Sequence, residues 1–484
     1  MMLSKLPTYT PKLPRWDHQN RALAAIDEAD GFALFMEMRT GKTKTILDEF
    51  GQDEAGGIIS NLLVIAPGGV YRTWEVDAAK HLSDDLRKRS LIQCWESGPS
   101  VGDKRRMEYF MKQRGPRILL VNVEALSTDT GAAAVCEKFL KSGDTTMVID
   151  ESTVIKNPTA KRTKRVLKLG ELAIKRRILS GLPSPQSPLD VFSQFKFVGA
   201  PFSENFGKFQ ERYAIIQRKP FGPGGRLIPV VIGYQNLDEL QRRIAPHSFR
   251  VRLSDCYDLP AKMFIRREVD MTPEQEAAYD AMHEYAVAQL ENAERVTATI
   301  VLTQMLRLHQ ILCGVTMSDD KVEVDIPENR TAEMMDIIEN VDGKVIIWAA
   351  YGANVKRITA ALEKKYGAGS VARFWGGNEK TREAEEREFK TNPKCRFMVA
   401  TAAAGGRGRT WDMAGTIIYY SNTFSLEHRM QSEERAQAVG KTESVGIFDL
   451  VTPGTVEEKI ISALRDKMEL SNAITGDNWR EWIV

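Results

Sequence analysis

Short, unbroken apolar runs, each closed by a turn residue or an acid, recur through the first two hundred residues. They lie at Gly31–Met36, Asn61–Pro67, Arg117–Asn122, Thr146–Asp150 and Arg177–Gly181. Longer polar or helix-periodic stretches separate them. A strand covered on one face alternates apolar and polar side chains, and these runs do not alternate. Continuous apolar strands spaced by helices predict a parallel sheet with crossover helices. A second series of the same kind occupies Lys344–Trp348, Ser370–Phe374, Arg396–Ala400, Thr416–Tyr420 and Val445–Val451, without repeating the first in sequence. Residues 185–340 differ. Glu274–Leu290 and Val296–Leu312 carry helical periodicity, and Thr272-Pro273-Glu274-Gln275 is a helix start with proline at its first position. The glycine- and proline-rich stretch Lys219–Gly225 reads as a hairpin tip. The predicted fold class is α/β: two parallel-sheet lobes in tandem, the first over residues 1–200 and the second, with a C-terminal helix, over 336–484. Mainly helical insertions and an interlobe linker fill 201–335.

Length and composition agree with this division. A chain of 484 residues exceeds what one core usually organises. Apolar content of 43% with 27% charged residues is ordinary for a globular protein. No apolar run approaches the roughly 20 residues that cross a bilayer, and the N-terminus lacks a signal-peptide apolar region. The five cysteines, Cys94, Cys136, Cys256, Cys313 and Cys395, have no paired spacing, so neither zinc nor disulfides are expected and the setting is read as reducing and cytoplasmic. The net charge of +2 hides four basic clusters: Lys161–Arg165, Lys175–Arg177, Arg242–Arg243 and Arg250–Arg252. One such cluster is ordinarily a solvated face; several together point to a phosphate-tracking groove.

The candidate chemistry begins at Gly41-Lys42-Thr43, directly after an apolar strand. Main-chain N–H groups at a helix start can cradle phosphates, Lys42 can neutralise the β/γ charge, and the Thr43 hydroxyl can ligate magnesium. The strict pattern wants glycine where Met36 stands. Asp150-Glu151 ends a later apolar strand, where Asp150 would hold magnesium through water and Glu151 would orient the attacking water. Far along the chain, Gln431–Gly440 offers a polar face with one arginine, Arg435, suited to completing such a site from the second lobe. A site split across two lobes opens and closes with each turnover, which is how a motor does work.

Taken in order, these motifs resemble helicase superfamily two, and within it the Snf-type (Swi/Snf) double-stranded DNA translocases. His18-Gln19 is similar to the family's adenine-sensing segment, Ile65-Ala66-Pro67 with Trp74 to motif Ia, and Asp150-Glu151-Ser152 followed by Lys156-Asn157 to the Asp-Glu-Ala-His motif. Leu179–Gln186 resembles motif III, Thr401–Gly408 motif V, and Gln431, Arg435 and Gly440 motif VI. Phe206–Tyr213, Ile244–Arg252, Leu259–Lys262 and Leu306–Cys313 resemble segments particular to the Snf group. The resemblance implies two RecA-like lobes, ATP and Mg2+ as cofactors, and movement along duplex DNA gripped by its phosphates. It makes Lys42, Asp150, Glu151 and Arg435 catalytic. Gln19, Arg39, Thr40, Gly41, Lys42, Thr43, Lys44, Gly408 and Arg435 would hold the nucleotide, with Thr43 and Asp150 on the metal. Pro67, Lys156, Asn157, Ser184, Thr401, Ala404 and Gly405 would meet DNA.

Three positions depart from the family: Arg39 replaces a P-loop glycine, Leu182 the second threonine of motif III, and Ala438 the second arginine of motif VI. Arg435 alone, or Arg407, Arg409 or Lys441, would then carry the arginine-finger charge. Such a finger is worth roughly 10³-fold or more in rate, so slow turnover is the other outcome. The expected protein is a monomer without membrane association, in a bacterial cell or a phage's host. Rival readings are a strand-separating helicase, the motor of a restriction or defence assembly, and a nucleotide-gated DNA clamp that hydrolyses little.

Overall fold

The computed structural model describes residues 9–128, 131–203, 205–221, 226–257, 262–292, 298–317, 323–405, 410–437 and 443–475. The described chain divides into two compact units. The first runs through Ile215, resumes over Ile232–Tyr257 and takes up the chain again from Glu469; the second comprises Ile216–Val231 and Asp258–Met468.

In the first unit the predicted apolar runs are strands β1 (Gly31–Met36), β2 (Asn61–Ala66), β4 (Arg117–Asn122), β5 (Thr145–Ile149) and β6 (Lys175–Leu179), joined by β3 (Leu91–Cys94). A two-stranded ribbon, β7 (Ala214–Phe221) and β8 (Arg226–Tyr234), which belongs mostly to the second unit, stands where the hairpin was expected; its tip, residues 222–225, lies outside the described residues. Strand β9 (Ser248–Val251) then returns to pair with β1. The sheet order is β3-β4-β2-β5-β6-β1-β9, every pairing parallel. Its central strands are buried on both faces between two apolar cores, which is why their sequences show no alternation.

The second unit repeats the plan. Strand β10 (Lys262–Glu268) precedes the helices Pro273–Asn292 and Ala298–Leu312, and a small antiparallel pair follows, β11 (Val315–Met317) and β12 (Glu323–Asp325). Strands β13 (Lys344–Trp348), β14 (Val371–Phe374), β15 (Phe397–Ala400), β16 (Ala414–Tyr419) and β17 (Val445–Val451) complete a parallel sheet in the order β10-β17-β16-β13-β15-β14, again with a core on each face. The predicted helix start at Thr272 is a reciprocal cap: Gln275 N donates to Thr272 Oγ1 (3.2 Å) and Thr272 N to Gln275 Oε1 (3.2 Å).

The region expected to be mainly helical insertions thus supplies two sheet strands. Both β9 and β10 are edge strands, half-exposed and mixed in polarity, so neither carries an apolar run. Two of the four basic clusters are engaged within the fold. On β6, Lys175 and Arg177 are buried against the helix Lys42–Ala55: Lys175 Nζ bonds Asp53 at 2.8 and 2.9 Å, and Arg177 Nη2 and Nε bond Glu49 Oε1 at 2.6 and 2.9 Å. Arg250 pairs with Glu37 and Arg252 with Asp255. Exposed lysines remain on the helix Lys161–Gly170, at Lys161, Lys164 and Lys168.

Burial pushes the Glu49 carboxyl above its ordinary range, with Arg177 pulling the other way. Removing only the arginine leaves that carboxyl buried without its partner. Arg177→Met is therefore expected to cost about 3–5 kcal/mol in urea unfolding. The double variant Arg177→Met/Glu49→Leu should regain most of the loss.

Candidate nucleotide and nucleic-acid sites

The loop between β1 and the helix Lys42–Ala55 is shaped by two residues in the left-handed region, Arg39 (φ 67°) and Gly41 (φ 84°). The second must be glycine on two counts. A side chain there is strained, and a Cβ would lie 2.1 Å from Gln19 Nε2. Arg39 occupies a backbone conformation that suits the family's glycine, and its side chain is half-buried rather than projecting into solvent. Glu37, buried at the end of β1, anchors the loop: its carboxylate accepts from Arg250 Nη2 (2.9 Å) and Leu253 N (2.8 Å), and its carbonyl from Thr40 Oγ1 (2.7 Å). Gly41 stands at the N-cap and has no side chain with which to occupy the helix's first N–H groups.

Gln19 is 1% exposed and doubly engaged: Oε1 accepts from Trp16 N (3.0 Å) and Nε2 points at Thr40 O (3.4 Å). His18 Nε2 meets the same carbonyl at 2.7 Å. Lys42 Nζ donates to Met36 O (2.7 Å) and exerts an electrostatic pull on Asp150. Thr43 is half-buried in the helix's first turn. Lys44 does not aim its charge at the loop. Its ammonium is buried and bonded to Asp48 Oδ2 (2.6 Å), which also takes Arg15 Nε (2.9 Å), so only the Lys44 main-chain N–H is placed for a phosphate.

Asp150, after β5, is buried. Its Oδ2 accepts from Trp74 Nε1 (2.9 Å) and its Oδ1 from Glu151 N (3.0 Å). Desolvation raises its pKa, opposed by the indole N–H and by Lys42. Glu151 adopts φ 49°, a strained conformation for glutamate directly after the buried Asp150. Thr43 and Asp150 together are an oxygen-only set, which suits magnesium. Next to the acids, Ser152 Oγ donates to Gln194 Oε1 (2.6 Å), and Gln194 Nε2 donates to Pro183 O (2.7 Å) and Asp190 O (2.8 Å). The acidic motif is therefore wired to the loop after β6.

Sequence reasoning placed Trp74 in a DNA-meeting motif; the structure makes it the donor that orients Asp150. Gln194 was missed and Arg250 read only as part of a basic cluster, because Ser152 and Glu37, the partners that tie them to these loops, lie 42 and 213 residues away. Arg250 also donates to Phe35 O (3.2 Å) and Gly181 O (3.0 Å), joining the loops after β1 and β6.

Of the expected DNA contacts in this unit, Pro67 is buried and its carbonyl closes a turn with Val70 N (2.8 Å) and Tyr71 N (3.0 Å), leaving Gly68 and Gly69 exposed. Lys156 is half-buried beside Asp190 and stabilises that carboxylate electrostatically. Asn157 is exposed, with Oδ1 accepting from Thr159 N (2.9 Å). Ser184 does not present its hydroxyl: it is buried, and Oγ donates to Ser187 O (2.7 Å).

In the second unit Thr401, at the carboxyl end of β15, accepts from Ala404 N (3.1 Å) and Gly405 N (2.9 Å). Ala404 is half-buried, whereas Gly405 is a packing glycine; a Cβ there would meet Trp411 at 2.8 Å and Trp348 at 3.1 Å. Those indoles are stacked and buried, in keeping with a packing role for Trp411. Arg435 is 1% exposed, two residues beyond the helix Leu426–Glu433, and its carbonyl accepts from Trp411 N (3.0 Å). Nearby, Arg429 bonds Asp449 (2.5 and 3.0 Å) and Glu433 (2.7 Å) above the Tyr419 ring, a knot that the sequence did not reveal. Gly408, Arg407, Arg409, Ala438 and Lys441 lie outside the described residues.

The SNF2-related domain profile covers residues 19–317 and the helicase conserved C-terminal domain residues 329–442. The chain is 23% identical over 468 residues to the putative ATP-dependent helicase/translocase YwqA of Bacillus subtilis, covering 93% of this chain and 47% of that protein. It is 24% identical over 421 residues to the SWI/SNF-related regulator of chromatin subfamily A-like protein 1 of Xenopus tropicalis, 84% of this chain and 40% of that one. The chain thus spans less than half the length of these relatives. Among solved structures, the Sulfolobus solfataricus SWI2/SNF2 ATPase core in complex with dsDNA aligns with 22% identity and a TM-score of 0.42, covering 100% of this chain and 97% of that one.

Gly41→Ala is expected to destabilise the first unit by at least about 1–2 kcal/mol in urea unfolding and to weaken binding of a fluorescent nucleoside triphosphate more than tenfold. Adding Gln19→Ala removes the clash but not the backbone strain, so only part of the stability should return.

Proposed function

Because the chain belongs to the SNF2-related domain family, we propose that it is a DNA-dependent ATPase that converts ATP turnover into movement along duplex DNA. The observation that carries the reading is the uncapped helix start at Gly41 with Lys42 beside the buried Asp150. That combination offers N–H donors, a cation and a metal-seeking carboxylate around one phosphate chain.

In this reading the N–H groups of Gly41–Lys44 and the Lys42 ammonium bind the β- and γ-phosphates. Lys42 leaves the Met36 carbonyl to do so. Thr43 and Asp150 would hold magnesium, which neutralises phosphate charge when bound. Trp74 fixes the orientation of Asp150, and Glu151 positions the attacking water and takes its proton. Gln19 supports the loop from beneath and senses adenine. Arg435, carried by the second lobe, supplies the cation for charge developing on the transferring phosphate. Duplex DNA is held by its phosphates through the exposed turn after Pro67, the Lys156–Asn157 segment, the lysine face of the helix Lys161–Gly170 and the turn at Thr401. Such contacts position without reading sequence, so binding is salt-dependent and largely non-specific.

ATPase rates with no nucleic acid, single strand, duplex, fork and RNA in parallel test the assignment; duplex should give the largest stimulation. Lys42→Ala and Glu151→Gln should each reduce the duplex-stimulated rate by about 10²–10⁴-fold while leaving duplex binding intact. Normal hydrolysis by either variant removes the reading. A negligible rate at saturating duplex, with nucleotide-dependent DNA retention, indicates the clamp instead. Unwinding of a labelled duplex indicates a strand-separating helicase.

A further inference from the structure

The second unit buries three side chains that the proposed reaction does not use. His309 lies in the helix Ala298–Leu312, Cys313 one residue beyond its end, and Glu457 in the first turn of the helix Val456–Thr475; they are 0%, 0% and 3% exposed. His309 Nε2 is 3.9 Å from Cys313 Sγ and 3.4 Å from Glu457 Oε1, and the three donor atoms all lie within 4.8 Å of one another. A tetrahedral zinc ion with ligand bonds of about 2.0–2.3 Å sets its donors about 3.3–3.7 Å apart. The cluster is therefore within small side-chain adjustments of that geometry.

The surroundings are arranged as the outer shell of a metal site would be. His309 Nδ1 is 2.8 Å from Tyr351 Oη, which fixes the ring and leaves Nε2 directed at the cluster. Glu457 Oε2 is held by Arg330 and by Thr452 N (2.8 Å), whereas Oε1 faces His309 without a well-formed hydrogen bond. In the metal-free chain a protonated His309 ring is that oxygen's ion-pair partner at 3.4 Å, and a bound metal would take the place of the ring proton between them.

We propose that His309, Cys313 and Glu457 form a buried structural site for a thiophilic divalent cation of the zinc type, clamping the helix Ala298–Leu312 to the helix Val456–Thr475. Imidazole, thiolate and carboxylate form the mixed donor set that zinc takes, and a water would complete the coordination. Charge balances. Arg330, Glu457 and an imidazolium at His309 sum to +1; with zinc bound to a neutral imidazole and a thiolate the sum is again +1, and two protons leave to solvent. The sequence reading expected no zinc because one cysteine without a paired neighbour carries no signature; the ligands converge only through the fold.

The test uses the untagged full chain, purified and dialysed against micromolar zinc, then against metal-free buffer. One zinc per chain is expected by atomic emission, with a melting temperature lowered by a strong chelator and restored by zinc. Cobalt reconstitution should give an intense thiolate-to-cobalt absorption. Cys313→Ser and His309→Gln should abolish that absorption. Glu457→Gln should weaken zinc binding about 10–100-fold, and Cys94→Ser should leave it unchanged. A chain that takes up no zinc, whose melting ignores the chelator and whose cobalt form lacks the thiolate absorption overturns the proposal even if a variant fails to fold. So does zinc that persists in both Cys313→Ser and His309→Gln.

Discussion

The loop between β1 and the helix Lys42–Ala55 depends on a buried carboxylate beneath it. Glu37 is buried where β1 ends, and its two oxygens are taken by the Arg250 guanidinium and the Leu253 N–H. With its carbonyl also holding the Thr40 hydroxyl, Glu37 fixes both ends of the short turn that places Arg39 and Gly41 in left-handed conformations. A buried ion pair is a poor source of net stability, but it is exacting about geometry, because either partner alone would be strongly disfavoured. Here the geometry it enforces is the curl that points successive N–H groups toward an anion.

The same arginine holds the carbonyl of Gly181, and a second relay runs from Ser152 through Gln194 to Pro183. The loops after β1, β5 and β6 are consequently one polar network in the first unit. Trp74 joins the region after β2 to it through Asp150. Asp150 is thereby held by residues that themselves have few free rotamers, as the proposed role of an oriented carboxylate requires.

Much of this was legible in the sequence, for identifiable reasons. Strands covered on both faces declare themselves as unbroken apolar runs, so β1, β2, β4 to β6, β13 and β15 to β17 were readable; β14, an edge strand, was readable only as one run in that series. Strands β9 and β10 were not, because an edge strand with charged residues looks like a loop. The places of Gly41-Lys42-Thr43 at a helix start and of Asp150-Glu151 after a strand were readable, because each directly follows an apolar run. Orientation was not: the Lys44 ammonium is bound to Asp48 and the Ser184 hydroxyl to Ser187. Counting charges misread the Lys175–Arg177 cluster for the same reason, since its partners Glu49 and Asp53 lie more than a hundred residues away.

The two lobes share no sequence pattern for the loops at their strand ends, yet they meet one constraint in the same way. At the carboxyl edge of a parallel sheet the last carbonyls lose their ladder partners, and burying them unpaired is costly. In the first unit Arg250 donates to Phe35 O and Gly181 O while pairing with Glu37; in the second, Arg330 donates to Tyr420 O (2.6 Å), Leu450 O (3.3 Å) and Leu312 O (2.8 Å) while pairing with Glu457. A lysine offers three donors from one point, whereas the planar guanidinium spreads five over a fork wide enough to reach separate strand ends and a carboxylate together. Arginine at these two positions follows from the geometry of the sheet edge, and the site loops inherit their positions from it.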